Sequence, residues 1–357
     1  MIPKKTYSNS QPFLDTTRLV EPSLELNSIF SHGELSELVH SLELKREIPL
    51  KYGYKGPGGK IWHSFYQKYL IPQWFQPANV DIDLLQDNFD YINGNGSQWL
   101  TSSDSSENYQ RINIIDVGAG NSYPVKKFIS RLVKLGRINK YIAWDISQEL
   151  LSVSKANLTQ WFPQVQFESY TVDIENTPIS PEILGSEDIP KIFLHLGVTI
   201  GNHQDRSKAL QNFRHSMNQN DLLVFTNEIG ANCQWDGIAR GGLKYHVDGI
   251  YKWVTDKLGI AAEDCQLVRK YDSITDSVTA NIKFHRHYAI NFRQLGIDKT
   301  VEILADEEVT IWRHHKHQIP ELMEELATAG LEIVHYSCNK YLSHIMVICQ
   351  AAESVST

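Results

Sequence analysis

The sequence predicts an α/β fold: a Rossmann-like, mostly parallel sheet with an antiparallel last strand, and a second α+β lobe beside it. Three observations carry this. The run INIIDVGAG, from Ile112 to Gly120, is an apolar strand that turns on glycines into a helix. From Arg111 onward, strands and helices alternate at the spacing of parallel βαβ units. Between residues 231 and 318 that alternation stops and segments of period two take over, before a helix resumes at Pro320.

The first twenty or so residues are polar and punctuated by proline, which predicts a surface tail or arm. Helical spacing begins with Leu24, Leu26, Ile29 and Phe30 and resumes through Leu35, Leu38, Val39 and Leu42. In PLKYGYKGPGGKIWHSFYQKYLIPQWFQP, Gly56, Gly58 and Gly59 read as a loop. The aromatics after it either pack that loop or stand open for a ligand. A helix with Leu84, Leu85 and Phe89 then gives way to a Gly, Asn and Ser stretch that leads into the nucleotide domain.

In that domain Gly118 and Gly120 permit positive φ and let a ligand approach the backbone. A dinucleotide fingerprint wants a third glycine where Tyr123 stands. Val125, Phe128, Ile129, Leu132 and Val133 follow at helical intervals, with Gly136 as C-cap. The strand KYIAWDIS puts Asp145 at its carboxyl end, where an acid can accept both hydroxyls of a ribose. Ser147 N-caps a helix that runs to about Trp161. The next strand, FESYTVDIEN, ends in Asp173, and KIFLHLGVTIGN ends in Gly201 and Asn202. Its His195 reads as a satisfied core histidine. Asp205 caps a third helix, and DLLVFTNEIG forms a fifth strand carrying Glu228. Strand ends of acid, acid and Gly-Asn suit a ligand with a ribose and an adenine but no pyrophosphate. S-adenosylmethionine is such a ligand, and the missing third glycine and missing basic cradle set it ahead of NAD.

After the fifth strand, DGIARGGLKYHVDG leads into a helix through Tyr251, Val254 and Leu258. Three alternating segments follow, around CQLVRKYD, TANIKFHRHYAINF and KTVEILADEEVTIW, and read as antiparallel strands. Pro320 opens a helix that Gly330 caps, and LEIVHYSC and YLSHIMVICQ are close enough to pair as a hairpin. The expected division is a substrate lobe of residues 1–79 and 230–318 and a cofactor-binding core of 80–229 and 319–357.

The chain has 357 residues, 41% hydrophobic and 21% charged, enough for one large or two modest cores. A formal charge of −8 and the lack of a basic stripe argue against a nucleic-acid partner. Four widely spaced cysteines form no metal-ligand pair and read as reduced thiols of a cytoplasmic protein. Neither an export signal nor a membrane span is present in the pattern. We therefore expect a cytoplasmic protein, monomeric or weakly dimeric, without metal, whose partner is a small aromatic molecule.

On FLHLGVTIGNHQDRSKALQNFRHSMNQNDLLVFTNE, IIDVGAGNS, AWDIS and KYGYKGPG, the chain resembles the histidine-specific methyltransferase family over about residues 51–350. Members methylate with S-adenosylmethionine; one makes the trimethylated histidine precursor of ergothioneine, and another N-methylates dimethylallyltryptophan. The resemblance implies a class I methyltransferase sheet. It implies that Tyr54 closes over the cofactor, that Gly118 lies against its methionine part, that Asp145 binds ribose, and that Asp173 and Ile174 frame adenine. Asp116 and Gly120 complete that expected set. Asn202 would hold the amino or carboxylate end of an amino-acid-like substrate.

The departures bear on the acceptor. The family reads the histidine ring with a tyrosine in Pro-x-Tyr-Tyr-Pro and with a Glu-x-Ser pair. Here the first segment is IPQWFQP, with Phe75 at the hydroxyl's place and Trp74 before it. The second is IWRHHKH, with Trp312 and His314 where Glu and Ser stand. A site that hydrogen-bonds a substrate nitrogen rejects analogues lacking it by roughly 10⁴-fold, so losing those groups removes the histidine preference. We expect an N-methyltransferase for an indole- or tryptophan-derived metabolite, stacked against Trp312, Phe75 and Trp74, with Tyr245 in reach. Glu228 and His314 are the candidate bases. The alternatives are methylation of the α-nitrogen of histidine or another amino acid, an NAD dehydrogenase with Asp145 on its ribose, and a regulator that binds cofactor without turnover.

Overall fold

The computed structural model describes residues 17–71, 79–94, 111–177, 179, 181–184, 189–230 and 241–352. Strands β1 (Arg18–Val20), β2 (Ile112–Val117), β3 (Ile138–Asp145), β4 (Gln166–Thr171), β5 (Lys191–His195), β6 (Leu222–Glu228), β7 (Cys265–Asp272), β8 (Ser277–Phe284), β9 (Tyr288–Asn291), β10 (Thr300–Ile303), β11 (Glu308–His315), β12 (Leu331–Cys338) and β13 (His344–Ala351) form three sheets. The seven-stranded sheet runs β12-β13-β6-β5-β2-β3-β4. Its members are parallel except β13, which lies antiparallel between β6 and β12. That is the Rossmann-like sheet with an antiparallel last strand that the alternation predicts. Central β2 and β6 are buried along their whole length, as strands covered on both faces are, and are mostly apolar, with Asn113 and Asp116 in β2 and Thr226, Asn227 and Glu228 at the carboxyl end of β6.

Helices α1 (Leu26–Ile29), α2 (His32–Lys45), α3 (Pro57–Phe65), α4 (Val80–Asp87), α5 (Phe89–Ile92), α6 (Lys126–Lys134), α7 (Gln148–Trp161), α8 (Pro181–Leu184), α9 (Arg206–Ser216), α10 (Gly241–Leu258) and α11 (Ile319–Thr328) complete the described elements. Local chemistry sets several of their ends. Ser147 accepts from the Leu150 N–H and Asp205 from the Lys208 N–H, each satisfying a donor left open in a first helical turn. Two apolar clusters cover the faces of the large sheet: Phe128, Ile129 and Leu132 of α6 belong to one, Leu210 and Phe213 of α9 to the other. A third joins α2 and α10 to the two small sheets, β1-β9-β10 and β11-β8-β7.

The structure corrects the sequence reading in four places. Arg18–Val20 is a strand parallel to β9, so the last residues of the expected tail belong to a sheet, and residues 1–16 of that tail lie outside the described residues. The last two of the three expected antiparallel segments each break in two, at residues 285–287 and 304–307, which yields five strands in two sheets. Gly58 and Gly59 lie in the first turn of α3, not in a loop. A Cβ on Gly58 would sit 2.1 Å from the Gly53 carbonyl oxygen, and one on Gly59 would sit 2.5 Å from Ser147 Oγ. Those glycines serve close approach, with Pro57 supplying the pre-set φ of a helix start. Finally RHHKH, whose charge suggests a solvated face, is buried from His314 to His317.

Candidate functional site

A cavity of about 260 Å³ opens above the carboxyl ends of β2, β3, β4 and β5, where an open α/β sheet places its ligand crevice. One wall is the sheet edge: Asp116 to Gly120, Asp145, Asp173 to Glu175, His195, Gly197, Thr199, Asn202 and His203. The facing wall comes from far along the chain: Leu50, Lys51, Tyr54, Trp62, Phe65, Tyr66, His246 and Trp312. Asp81 and Ile82 of α4 close one side.

At the turn after β2, Gly118 has φ +73° and Gly120 φ +54°. The two are used differently. A Cβ on Gly118 would meet nothing within 4 Å, so this glycine bares its backbone to the cavity. A Cβ on Gly120 would lie 2.6 Å from the Trp62 ring, so this glycine admits an indole of the facing wall. Its N–H donates to Asp145 Oδ2 at 2.8 Å, and the Ser147 N–H donates to Oδ1 at 2.9 Å. Burial pushes the Asp145 pKa up to about 6 against those two N–H groups. Asp116 takes a hydrogen bond from Tyr141, whose hydroxyl lies 2.8 Å from Ser122. Burial raises Asp116 to about 7, with Tyr141 opposing and the Asp145 charge adding.

Asp173 follows a different logic. Its burial would raise the pKa, but Lys51 at 2.9 Å and Asn176 hold the carboxyl below the usual value. Lys51 also reaches Glu37 at 2.7 Å, so an ammonium of the facing wall is anchored to the sheet edge. Beyond β5 the chain turns through Gly197 at φ +81° and Val198 at φ +55°, the latter a strained position for a β-branched residue. The turn leads into a short 3₁₀ segment, Thr199–Asn202, that brings Asn202 to the cavity.

His195, read from sequence as a core residue, is buried and also lines the cavity. Its Nδ1 is 2.9 Å from the Val117 carbonyl oxygen and its Nε2 3.1 Å from His203 Nε2; His203 Nδ1 is 3.3 Å from Glu175. The carbonyl accepts, so Nδ1 of His195 carries the proton and Nε2 accepts from His203. Burial, with His203 adding, pushes His195 down to about 3. Sequence spacing gave no sign of this Glu175-His203-His195 chain, because three separate segments bring it together.

Tyr54, Asp116, Gly118, Gly120, Asp145, Asp173, Ile174, Asn202 and Trp312 therefore share one cavity. Glu228 and His314 do not line it. They lie behind Asn202, with His314 Nδ1 3.0 Å from Asn202 Oδ1 and its Nε2 3.4 Å from Glu228. Glu228 is buried among His314, Lys316 and His344 rather than solvated at a strand end. Trp74 and Phe75 lie outside the described residues, as does the side chain of Tyr245. The indole of Trp312 sits just past a register shift between β11 and β8 at Thr310/Trp312.

The sequence profile described as histidine-specific methyltransferase, SAM-dependent, matches residues 35–232. No curated protein matches the chain. Among solved structures, an S-adenosylmethionine-dependent methyltransferase from Clostridium acetobutylicum is similar at 11% identity and TM-score 0.43, covering 84% of this chain and 100% of that one. Magnesium protoporphyrin IX methyltransferase from Synechocystis, solved with bound SAH, is similar at 9% identity and TM-score 0.44, covering 85% of this chain and 98% of that one. Among the described residues no helix is long and apolar enough to cross a membrane.

Proposed function

The chain belongs to the histidine-specific, S-adenosylmethionine-dependent methyltransferase family, and from that premise we propose that it N-methylates a small aromatic acceptor of the indole or tryptophan-derived class. The cofactor is S-adenosylmethionine, and Gly118 is a fitting cradle for it: positive φ, with open space where any side chain would stand. In this reading Asp145 takes the ribose hydroxyls, Asp173 and Ile174 frame the adenine, and Gly118 with Asp116 faces the methionine part. Tyr54 closes from the opposite wall. Bound there, the cofactor supplies a methyl carbon activated by its sulfonium.

The work left to the chain is alignment and exclusion of water. Trp62, Phe65, Tyr66 and Trp312 give the facing wall a flat, mostly apolar surface for an aromatic ring. Asn202 accepts from His314 Nδ1 through its Oδ1, which leaves its amide N–H groups for a carboxylate or carbonyl of the acceptor. Glu228 and His314 act in this reading as supports that orient Asn202, not as bases. An amine acceptor arrives unprotonated and gives up its extra proton after transfer, so no dedicated base is required.

The observation that carries the reading is Trp312 on the cavity wall, at the position where the family resemblance implies an imidazole-reading acid. Supplying purified enzyme and S-adenosylmethionine with L-histidine, L-tryptophan, tryptamine and ring-substituted tryptophans, and following methylated product by mass, tests it. The expected result is turnover of an indole amine well above histidine. Faster turnover of histidine overturns the acceptor class, and cofactor binding without turnover of any amine supports the regulator instead.

A further inference from the structure

His246 lies on α10 with its ring on the cavity wall, 1% exposed, and its Nε2 has no hydrogen-bond partner among the described residues. The ring packs against two aromatics, Phe65 at 5.7 Å and nearly parallel (22°) and Tyr54 at 5.3 Å and tilted (44°). α10 is pressed close to α3, since a Cβ on Gly249 would meet Ile61 at 2.7 Å. Leaving a buried imidazole nitrogen unsatisfied costs on the order of 1–3 kcal/mol, and such groups in a well-packed wall ordinarily answer to a ligand or a bound water. His246 lines the same cavity that receives the acceptor, with Nε2 itself covered.

We propose that His246 reads the acceptor, its imidazole accepting one hydrogen bond from a neutral N–H or O–H on the edge of the aromatic ring seated against Phe65, Tyr54 and Trp312. This rests on the acceptor class proposed above and narrows it to rings that carry a single edge donor. It assigns the proton of the imidazole to Nδ1. Burial alone, with no neighbouring charge contributing, lowers the His246 pKa to about 4, so the ring is neutral near pH 7 and suits a neutral donor rather than an anion.

The test removes the hydrogen bond from both sides. Tryptamine is compared with its ring-N-methyl analogue and with its benzothiophene isostere, which lacks the donor without added bulk. Wild-type kcat/KM is expected to favour the N–H compound over the isostere by roughly tenfold, one buried hydrogen bond. His246→Phe brings the ratio to within about twofold. His246→Gln, whose amide reaches the Nε2 position, retains part of it, and S-adenosylmethionine affinity measured by calorimetry reports that each variant is folded. An equal wild-type preference for both compounds, or a ratio unchanged in His246→Phe, overturns the inference alone. No turnover of either compound by cofactor-loaded wild type overturns the acceptor class and this inference with it.

Discussion

The two walls of the cavity are built by opposite means. The sheet-edge wall is charged and comes from successive strand ends between residues 116 and 203: Asp116 and Asp145 lie at the carboxyl ends of β2 and β3, and Gly118 and Asp173 just beyond β2 and β4. The facing wall is aromatic and assembled from Leu50–Tyr66, His246 and Trp312, separated by up to 262 residues of chain. In the proposed function the first wall, set by the strand ends, takes the cofactor, and the second, assembled by long-range packing, sets the acceptor. Variants that affect one wall and spare the other sharpen that division, and variants that affect both break it.

The largest expected effect is on the sheet edge. Gly118→Val places a β-branched residue at φ +73°, worth about 1–2 kcal/mol of strain, and projects methyls into open cavity. S-adenosylmethionine affinity is expected to fall by about a hundredfold or more. Calorimetric titration that finds affinity within threefold of wild type removes the cofactor from this wall.

Next comes the place where the walls meet. Gly120→Ala puts a Cβ 2.6 Å from the Trp62 ring, so the indole must shift or the turn must open. Overpacking of this kind costs about 1–3 kcal/mol. Trp62→Ala in the same chain relieves it, so the double variant should be more stable than the sum of the singles by about 1 kcal/mol or more in urea unfolding. Strict additivity would show that the walls do not touch here.

This contact also explains what the sequence could and could not disclose. The sheet was legible because its central strands are mostly apolar, because strands and helices alternate, and because the turn after β2 carries glycine, all local signatures. The pair Gly118 and Gly120 looked like one cofactor motif, yet only contact with Trp62, 58 residues earlier, separates their duties. Gly58 and Gly59 looked like a loop because close approach to Gly53 and Ser147 cannot be read from spacing. The buried cluster of Glu228, His314, Lys316 and His344 has charged letters that argue for solvent, and only its mutual pairing makes burial tolerable. His195 was assigned to the core correctly, but its partner His203 and their acid Glu175 were hidden by the 28-position separation of the latter two.

A smaller effect is expected on the aromatic wall. Trp312→Ala should raise KM for an indole amine about tenfold, the loss of one stacked ring, while S-adenosylmethionine affinity stays within twofold. Equal losses of cofactor and acceptor affinity would mean that Trp312 supports the whole cavity and that the walls do not divide the labour.

The smallest effect is a fraction of a proton. Asp116 has its pKa raised by burial from 3.8 to about 7, so in the folded protein without cofactor much of it is protonated at pH 6.5, whereas an unfolded chain would have ionised it. The sign follows: this group's contribution to stability is present below pH 3.8 and lost as pH rises through about 7. A cation entering the cavity favours the carboxylate and lowers that pKa, so cofactor binding near pH 6.5 should release protons and tighten as pH rises through 7. At pH 9 the carboxyl is already ionised and nothing is left to release. Titration enthalpies measured at pH 6.5 in buffers of different ionisation enthalpy should differ, converge at pH 9, and lose most of the difference in Asp116→Asn, with any remainder belonging to Asp145, raised to about 6. Identical enthalpies in all buffers at pH 6.5 would mean that the sheet edge meets no positive charge, and would leave the aromatic wall as the only one with a ligand to explain.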